Sequence, residues 1–526
     1  MERIKKCISK IKNNRIAKMI IGLMIFISLF NINEYLNIVL TVLLVIGIFM
    51  EKNDEMLYTY IFLSFFDEVL IVDVLGGSIS RIVMIVIILK LLYQIFKNKI
   101  MPKKVHIAIL AFFGIATIIE LVLAPLQIEP IVVFVNVFIL VIFSMILQYE
   151  KKDLTKFIEE LFLTIVFATL GSILYGILSW NFLKDYAKGE IVYRFSGTYE
   201  PNFMCMYIIL GIISLMNIKD RYFNHKCIYY ILMALFINMV ILTISITGMI
   251  GMTIAIIVHL ILNRKQWKKQ LKDLIIILII TGIAFSGVQY VKHLSNEKQL
   301  KEEIAKIQQQ EEENRNFENI NKEPEIIEKS PEQNIEEEPI EEITPSIKEP
   351  VIENVTPQEK LEPNIVQPSE EEIEKEIVVE QVEEKSDFVK RIEYMLEFVQ
   401  KGDWDRLTSG RLPIAVTFIN ASIDRPLFNV LFGNGISTKT TYVNYFGTQK
   451  YAHNSYIDCL YNFGLVGVLI ILFFITRVLF KNRFLGEDIS NNEYCNGVKT
   501  IRIVLLIFAL SLSLYTKRML LVFFLI

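Results

Sequence analysis

The sequence predicts an all-α polytopic membrane protein, a bundle of about 12–14 transmembrane helices with one large hydrophilic loop. Of its 526 residues 53% are hydrophobic and 36 are Phe, and the mean hydropathy is +0.45. Apolar stretches of the roughly 17–25 residues that a helix needs to cross hydrocarbon recur from Ile16 to Phe480. This composition excludes an ordinary soluble fold.

Twelve helices are predicted, eleven before the large loop and one after it at about 456–480. Val498–Leu514 is a further candidate span that begins with Lys499 and Arg502, and whether it crosses the membrane is left open. The eleven helices before the loop cover about 16–32, 35–51, 56–76, 79–97, 105–124, 129–148, 155–180, 202–218, 226–245, 247–263 and 273–291.

Basic residues set the predicted orientation. The N-terminal segment is rich in Lys and Arg, and the segments that follow the even-numbered helices from the fourth to the tenth are basic as well. Because basic loops stay on the cytoplasmic side, the N-terminus is predicted inside and the large loop outside. Helix twelve then returns to Lys481 and Arg483 on the inner side. We therefore expect a multi-pass protein of the cytoplasmic (inner) membrane.

This orientation divides the chain into 1–290 with helices one to eleven, an extracytoplasmic loop at 291–455, and the C-terminal transmembrane helices at 456–526. Within the loop, 296–386 holds 28 Glu against 10 Lys or Arg, together with eight Pro, and is expected to be a disordered acidic insert. The rest of the chain holds 44 basic and 29 acidic residues, a net charge of +15 that suits anionic lipids or a phosphorylated substrate.

An ordered, helical part of the loop is expected at 387–455. It starts after Ser386, an N-cap candidate, with an apolar stripe from Phe388 to Val399. That stripe is suited to the membrane surface or to packing against another helix of the loop.

The first candidate functional segment is Arg194–Asn202. Arg194 can hold phosphate oxygens in a bidentate way, and Gly197 permits a tight turn. Asn202 can cap the following helix and is a candidate substrate-binding residue. The alternative for Arg194 is an anchor at the lipid interface.

The second segment begins at Thr408-Ser409-Gly410-Arg411 and runs through a helix to a turn at Phe432–Gly435. Ser409 and Gly410 can start a helix whose N-terminus points at an anion, and Arg406 and Ser409 are candidate substrate-binding residues. A solvated surface arginine is the alternative for Arg411. The turn is too short to be a phosphate loop by itself.

The third segment is Ala452-His453-Asn454-Ser455-Tyr456, before the helix that contains Gly464 and Gly467. A neutral His453 imidazole can accept a proton from a hydroxyl near pH 7, with Asn454 as a substrate-binding neighbour. An ordinary interface histidine is the alternative. The cysteines Cys7, Cys205, Cys227, Cys459 and Cys495 show no paired spacing, so neither disulfides nor a metal site is expected.

Together these segments resemble the O-antigen ligase and O-antigen polymerase (Wzy-like) superfamily. Its members show an Arg-x-x-Gly-x-x-x-x-Asn stretch, a Ser-Gly-Arg loop, a Phe-Gly-x-Gly turn and a His-Asn-Ser pair before a Gly-x-x-Gly helix. The resemblance covers roughly 190–480. It departs from the family between helices nine and ten, where a Ser-Arg pair is often found but this chain reads Ser245-Ile246-Thr247-Gly248.

The resemblance implies a metal-independent membrane glycosyltransferase of GT-C-like architecture that needs no cofactor. Arg194 and Arg411 would hold the diphosphate of an undecaprenyl-diphosphate-linked glycan donor. His453 would act as the base on the hydroxyl of a glycan or lipid acceptor, with inversion at the anomeric carbon. Neither the acceptor, the sugar, the oligomeric state nor the role of the acidic insert follows from the sequence.

Three functions remain open. The first is a polymerase for O-antigen or capsular polysaccharide repeat units, and the second is a ligase that passes the finished glycan to a lipid or protein. A polysaccharide flippase or transporter is the alternative of another class, although the sequence shows no paired Gly- or Pro-broken helices.

Acidic residues in the third predicted helix, Asp67, Glu68 and Asp73, are functional candidates because carboxylates are costly in lipid. Alternatively, they lie near the outer end of a tilted helix.

The orientation predicts how cysteines will be labelled. A cysteine introduced at 387–455 should react with a membrane-impermeant maleimide added to intact cells, whereas one at 481–498 should react only after permeabilisation, because basic loops remain inside. Loop cysteines that become reactive only after permeabilisation would contradict this orientation.

Overall fold

In the computed structural model, the described residues all belong to one unit, which is formed by 1–292 and 386–526. The acidic insert, the candidates Ser409 and Arg406, and the first predicted helix apart from residue 27 lie outside the described residues. The described residues are 27, 34–67, 69, 79–123, 128–150, 153–187, 190–223, 226–287, 393, 396–402, 411–436, 443–445, 448–480, 483–484, 487–512 and 514.

The described chain is mostly helical with a few short strands. Six of its helices, α4, α5, α6, α7, α10 and α13, are long and apolar enough to cross a membrane. The elements are α1 Glu34–Met50, α2 Asn53–Ser64, α3 Ile79–Asn98, α4 Lys104–Leu123, α5 Glu129–Tyr149, α6 Leu154–Leu178, β1 Phe182–Ala187, β2 Glu190–Phe195, α7 Pro201–Tyr222, α8 Lys226–Leu242, α9 Ile246–Leu262, α10 Arg264–Gly287, α11 Arg411–Ile423, α12 Leu427–Phe432, β3 Val443–Tyr445, β4 Thr448–Lys450, α13 Ser455–Phe480, β5 Arg483–Phe484, β6 Glu487–Asp488 and α14 Cys495–Phe508.

The predicted C-terminal end of the third helix, 56–76, is wrong, because α2 ends at Ser64. The Tyr199 hydroxyl donates to the Ser64 carbonyl (2.5 Å) and the Thr198 hydroxyl to the Phe65 carbonyl (2.7 Å). Side-chain donors thus satisfy carbonyls that would otherwise need another helical turn. Asp67 therefore lies beyond the end of a helix, and Glu68 and Asp73 lie outside the described residues.

The segment Arg264–Lys272, predicted as a loop, is instead the beginning of α10. Lys, Arg and Gln are good helix formers, and the apolar span continues from them without a helix-breaking residue. The helix therefore extends through the basic segment.

An antiparallel hairpin of β1 and β2 corrects the all-α prediction locally. Its strands are rich in aromatic and β-branched residues, and Val192 and Phe195 are buried. The hairpin fills the interval between α6 and α7, for which no strand was predicted from the sequence.

Helix α7 lies at the centre of the core and packs against α6, α8, α9 and α14. Glycines allow these close approaches: a Cβ at Gly211 would lie 2.6 Å from the Thr169 hydroxyl, and one at Gly248 in α9 would lie 1.9 Å from the Cys205 sulfur in α7. Small residues at helix contacts are typical of membrane bundles, where close packing replaces the hydrophobic driving force.

Helix α14, which contains most of the candidate span Val498–Leu514, runs from one end of the bundle to the other. Near its start, Asn496 donates to the Leu262 carbonyl (3.1 Å) at the end of α9. Just beyond its last residue, the Ala509 carbonyl accepts from the Ser455 N–H (2.7 Å) at the start of α13. The end of α14 thus lies at the start of α13, and Arg502 of α14 donates to the Val478 carbonyl near the end of α13 (3.4 Å), so the two helices run antiparallel.

Helix α13 is broken at Gly464, whose φ of 63° and ψ of −173° are not helical. The end of α12 lies against this break, so that a Cβ at Gly464 would lie 2.5 Å from the Leu431 carbonyl. The Gly435 N–H donates to the Asn462 carbonyl (3.0 Å) beside it. The predicted Phe432–Gly435 turn is confirmed and is built into the break.

Replacing Gly464 with Ala should destabilise the protein by about 2 kcal/mol or more, because the new methyl would clash with backbone at a φ that favours glycine. Gly282→Ala is the matched control, since Gly282 has open space around it in α10. Thermal unfolding in detergent, followed by circular dichroism, measures both. Equal melting temperatures for the two variants would contradict this account of the break.

Candidate functional site

Arg194 links four segments at one end of the bundle, which we call the site end. Its Nε donates to the Thr243 carbonyl (3.0 Å), Nη1 to the Asp185 carboxylate (3.2 Å) and Nη2 to the Asn202 side-chain oxygen (3.0 Å). Its side chain is 11% exposed, and that of Asp185 is 35% exposed. Arg194 is therefore a structural tie as well as a candidate anion ligand.

The hairpin register places Arg194 beside its acidic partner. Arg194 pairs with Leu183, and Asp185 follows two residues later on the same face of β1. Such diagonal cross-strand neighbours are within reach of a long side chain. The pair thus depends on the hairpin, which the helical periodicity of the surrounding sequence does not reveal.

The predicted capping role of Asn202 is wrong. Asn202 lies inside the first turn of α7, whose N-cap is Glu200, and no side-chain cap bond is made there. The Asn202 side-chain oxygen instead accepts from Arg194 and from the Ser245 hydroxyl (2.8 Å), and its amide donates to Glu200. Asn202 is therefore a positioning residue for Arg194 rather than a helix cap.

Ser245 lies where the resembled family often has a Ser-Arg pair. It caps α9 by accepting from the Gly248 N–H (3.1 Å), after a sharp reversal in which Ile244 has a φ of 49°. This reversal aims the Thr243 carbonyl at Arg194. In the sequence, Ser245 is notable only because Ile246 follows it where the family often has an arginine. Its contact with Asn202 was not predicted.

Arg411 begins α11 and donates through Nη1 to the Ser511 carbonyl (3.2 Å) beyond the end of α14. Burial lowers the pKa of its guanidinium, Glu200 raises that pKa and Arg194 lowers it. Charges act in this way only when they are near one another. The pKa of the Arg411 guanidinium therefore responds to the opposite charge of Glu200 and to the like charge of Arg194.

Asn454 is the N-cap of α13, because its side-chain oxygen accepts from the Tyr456 N–H (3.0 Å) and the Ile457 N–H (3.2 Å). Its amide donates to the Leu510 carbonyl (3.0 Å), one residue before the carbonyl that Arg411 contacts. Both amide ends of Asn454 thus hold the backbone together, a role that its predicted substrate-binding function did not include.

His453 precedes this cap with a φ of 51°, in the left-handed region that L-residues other than Asn, Asp and His rarely adopt. It is half-buried, and its ring lies edge-on to that of Tyr451 with centroids 6.1 Å apart. Such backbone outliers persist only where neighbouring residues enforce them, and they are frequent at functional sites. Here the buried Ala452 and the cap at Asn454 enforce it.

The turn that follows α14, at 509–512, and residue Leu514 are a further feature that the sequence did not reveal. The turn accepts the bonds from Arg411 and Asn454, and Ser455 adds three more contacts, to the Ala509 carbonyl, the Leu512 carbonyl (2.5 Å) and the Leu514 N–H (2.6 Å). Only the end of an apolar stretch marks this turn in the sequence. It brings the second and third predicted segments together.

All the described candidates, Arg194, Asn202, Arg411, His453 and Asn454, belong to the three segments at the site end. Within the described part of the chain, no group of three or more His, Cys, Asp or Glu could hold a metal ion. The four described cysteines are free thiols. No protein-family model, curated protein or solved structure matches the chain.

Arg194→Ala should lower the free energy of unfolding by about 2–3 kcal/mol, because it removes a charged donor from one carboxylate, one amide and one carbonyl. Arg411→Ala should lower it by about 1 kcal/mol, since among the described residues it removes one hydrogen bond, that to the Ser511 carbonyl. Denaturant unfolding in mild detergent measures both. An Arg411 variant less stable than the Arg194 variant would contradict the structural tie assigned to Arg194.

Proposed function

We propose that the protein is a membrane glycosyltransferase that transfers or polymerises undecaprenyl-diphosphate-linked oligosaccharide units at the outer face of the cytoplasmic membrane. What supports this is the convergence of two arginines and one histidine, taken from three distant segments, at one end of an apolar helical bundle. The single observation that carries the proposal is that Arg411 and Asn454, the neighbour of His453, donate to the adjacent carbonyls of Ser511 and Leu510.

In this proposal the two guanidinium groups bind the diphosphate of the lipid-linked donor. Paired cations suit a diphosphate because each presents several N–H donors to phosphate oxygens. Asp185 holds Arg194 in the absence of substrate, so that the incoming phosphate displaces a carboxylate contact instead of ordering a loose side chain. The arginines then stabilise the charge that grows on the leaving diphosphate.

His453 acts as the general base in the same step. The acceptor hydroxyl oxygen forms a bond to the anomeric carbon of the donor while the bond from that carbon to the diphosphate oxygen breaks. The hydroxyl proton passes to the imidazole, and the diphosphate leaves with the bonding electrons. One displacement of this kind inverts the anomeric configuration, and the arginines supply the positive charge that a metal ion would otherwise provide.

Polymerase and ligase differ only in the acceptor, which is another lipid-linked unit in the first case and a lipid or protein in the second. The polymerase is the primary proposal and the ligase its alternative. A transporter is the second candidate function, and the observation that favours it is the break at Gly464, because interrupted helices line substrate sites in many transporters. The enzyme proposal accounts in addition for the clustered arginines.

His453→Ala and Arg411→Ala should each reduce glycan transfer at least about 10²-fold, as expected for loss of a general base or of a charge-stabilising donor. Arg411→Lys should recover part of the activity, since it keeps the charge but not the planar pair of donors. His453→Gln should not recover it, because an amide does not accept the proton at neutral pH. The measurement is transfer by the purified protein in liposomes with an undecaprenyl-diphosphate oligosaccharide, in the presence of EDTA.

Arg477→Ala, on the exposed surface of α13 away from the site end, is the matched control and should transfer normally. Full activity of His453→Ala would refute the general-base role. Activity lost in EDTA and restored by a divalent cation would refute the metal-free mechanism. Movement of the lipid-linked glycan across the bilayer without any new glycosidic bond would favour the transporter.

A further inference from the structure

Helix α11 has three distinct sides. With 3.6 residues per turn, successive side chains are about 100° apart. Ile414, Phe418 and Ser422 form the buried side, and the Phe418 ring lies edge-on to that of Tyr461 in α13 (5.4 Å between centroids). This side attaches the helix to the bundle.

The second side is apolar and exposed. Leu412, Val416, Ile419 and Ile423 fall within a stripe about 60° wide, and Ile423 is 61% exposed. The third side is polar and exposed, with Asn420 and Asp424. It lies between the apolar stripe and the buried side. A helix with one side on protein, one apolar side and one polar side matches the surroundings at a membrane–water boundary.

The apolar stripe continues along α12, where Leu427 is 73% exposed and Phe428 and Phe432 are also exposed. The end of α12 meets α13 at the Gly464 break, and the next residues of α13 expose a further apolar row. That row consists of Leu465, Leu469, Leu472 and Phe473. Because α13 is one of the helices able to cross a membrane, its exposed apolar row is the surface that faces acyl chains.

We propose that α11 and α12 insert their exposed apolar side into the lipid leaflet at the site end, so that the occupant of this surface is the membrane itself. Both α11 and α12 pack on α13, and the exposed apolar row of α13 begins at the break that α12 meets. Single exposed apolar residues need no explanation, but a continuous surface of seven large side chains on two helices requires an apolar partner.

The charges at the ends of α11 agree with this placement. Arg411 is its first residue, and Arg425 follows its last turn with the guanidinium 4.7 Å from the centre of the Tyr461 ring. Arginines that flank an apolar stretch are typical of segments held at the headgroup level. Insertion therefore fixes the guanidinium of Arg411 at the depth of the lipid phosphates, whatever reaction the site performs.

Two neighbouring positions test the placement. Ile419 and Asn420 are adjacent in the chain, but only Ile419 belongs to the apolar stripe. Each is replaced by cysteine in the full-length protein with Cys7 and Cys227 changed to serine, since the remaining cysteines are buried. Both variants are spin-labelled and reconstituted in vesicles of phosphatidylcholine and phosphatidylglycerol. Collision rates with oxygen, which concentrates in lipid, and with a water-soluble nickel chelate are then measured.

The ratio of oxygen to nickel collisions should be several-fold higher for the Ile419→Cys label than for the Asn420→Cys label. A label at Leu427→Cys should behave like the one at Ile419, because α12 shares the surface. Equal nickel access at all three positions would place the helices in water and overturn the proposal. Spin–spin broadening at Ile419 and Leu427 would assign the surface to a second copy of the chain, and lipid exposure of Asn420 would overturn the three-sided orientation.

Discussion

The site depends on one physical constraint, which is that backbone carbonyl groups at helix ends inside the bundle need hydrogen-bond donors from other segments. The last carbonyls of a helix have no partner within it, and in an apolar surrounding each unsatisfied group costs several kcal/mol. At the site end, α2, α8 and α14 all finish with such groups. Side chains from other segments supply the missing donors: Tyr199 and Thr198 for α2, Arg194 for α8, and Arg411, Asn454 and Ser455 for the turn after α14.

This constraint explains why residues suited to phosphate chemistry lie where they do. A helix C-terminus carries a partial negative charge, and a cation beside it is stabilised. Each arginine donates to such a carbonyl, Arg194 to that of Thr243 and Arg411 to that of Ser511, and the Asp185 carboxylate pairs with Arg194 as well. In the proposed function, an anionic ligand that binds the two guanidinium groups more strongly displaces their carbonyl and carboxylate contacts. In the proposed function, one set of side chains therefore has both a structural and a chemical role.

The glycine break in α13 belongs to the same arrangement. It opens a place for α12 and the turn at Gly433–Gly435, and the buried Glu120 carboxylate of α4 accepts from the Ile436 N–H (2.7 Å) just beyond that turn. The loop is thus fixed to two helices able to span the membrane. Arg411, at the other end of the α11–α12 pair, is positioned by this attachment as well as by its own contact to Ser511.

The sequence by itself determined the helical membrane class and nearly all helix positions, because a run of apolar side chains long enough to cross hydrocarbon has few other stable conformations. It also identified three segments that meet at one end, since their arginines, histidine and glycines stand out in an apolar chain. Only the tertiary structure decided what those residues contact. These contacts involve residues that are distant in the chain or lack a local pattern. Examples are the end of α2 at Ser64, the Asp185–Arg194 pair across the hairpin, the link from Asn202 to Ser245 and the turn after α14. Periodicity reports which side of a helix is apolar, whereas the partner of a polar group depends on which helix ends pack together.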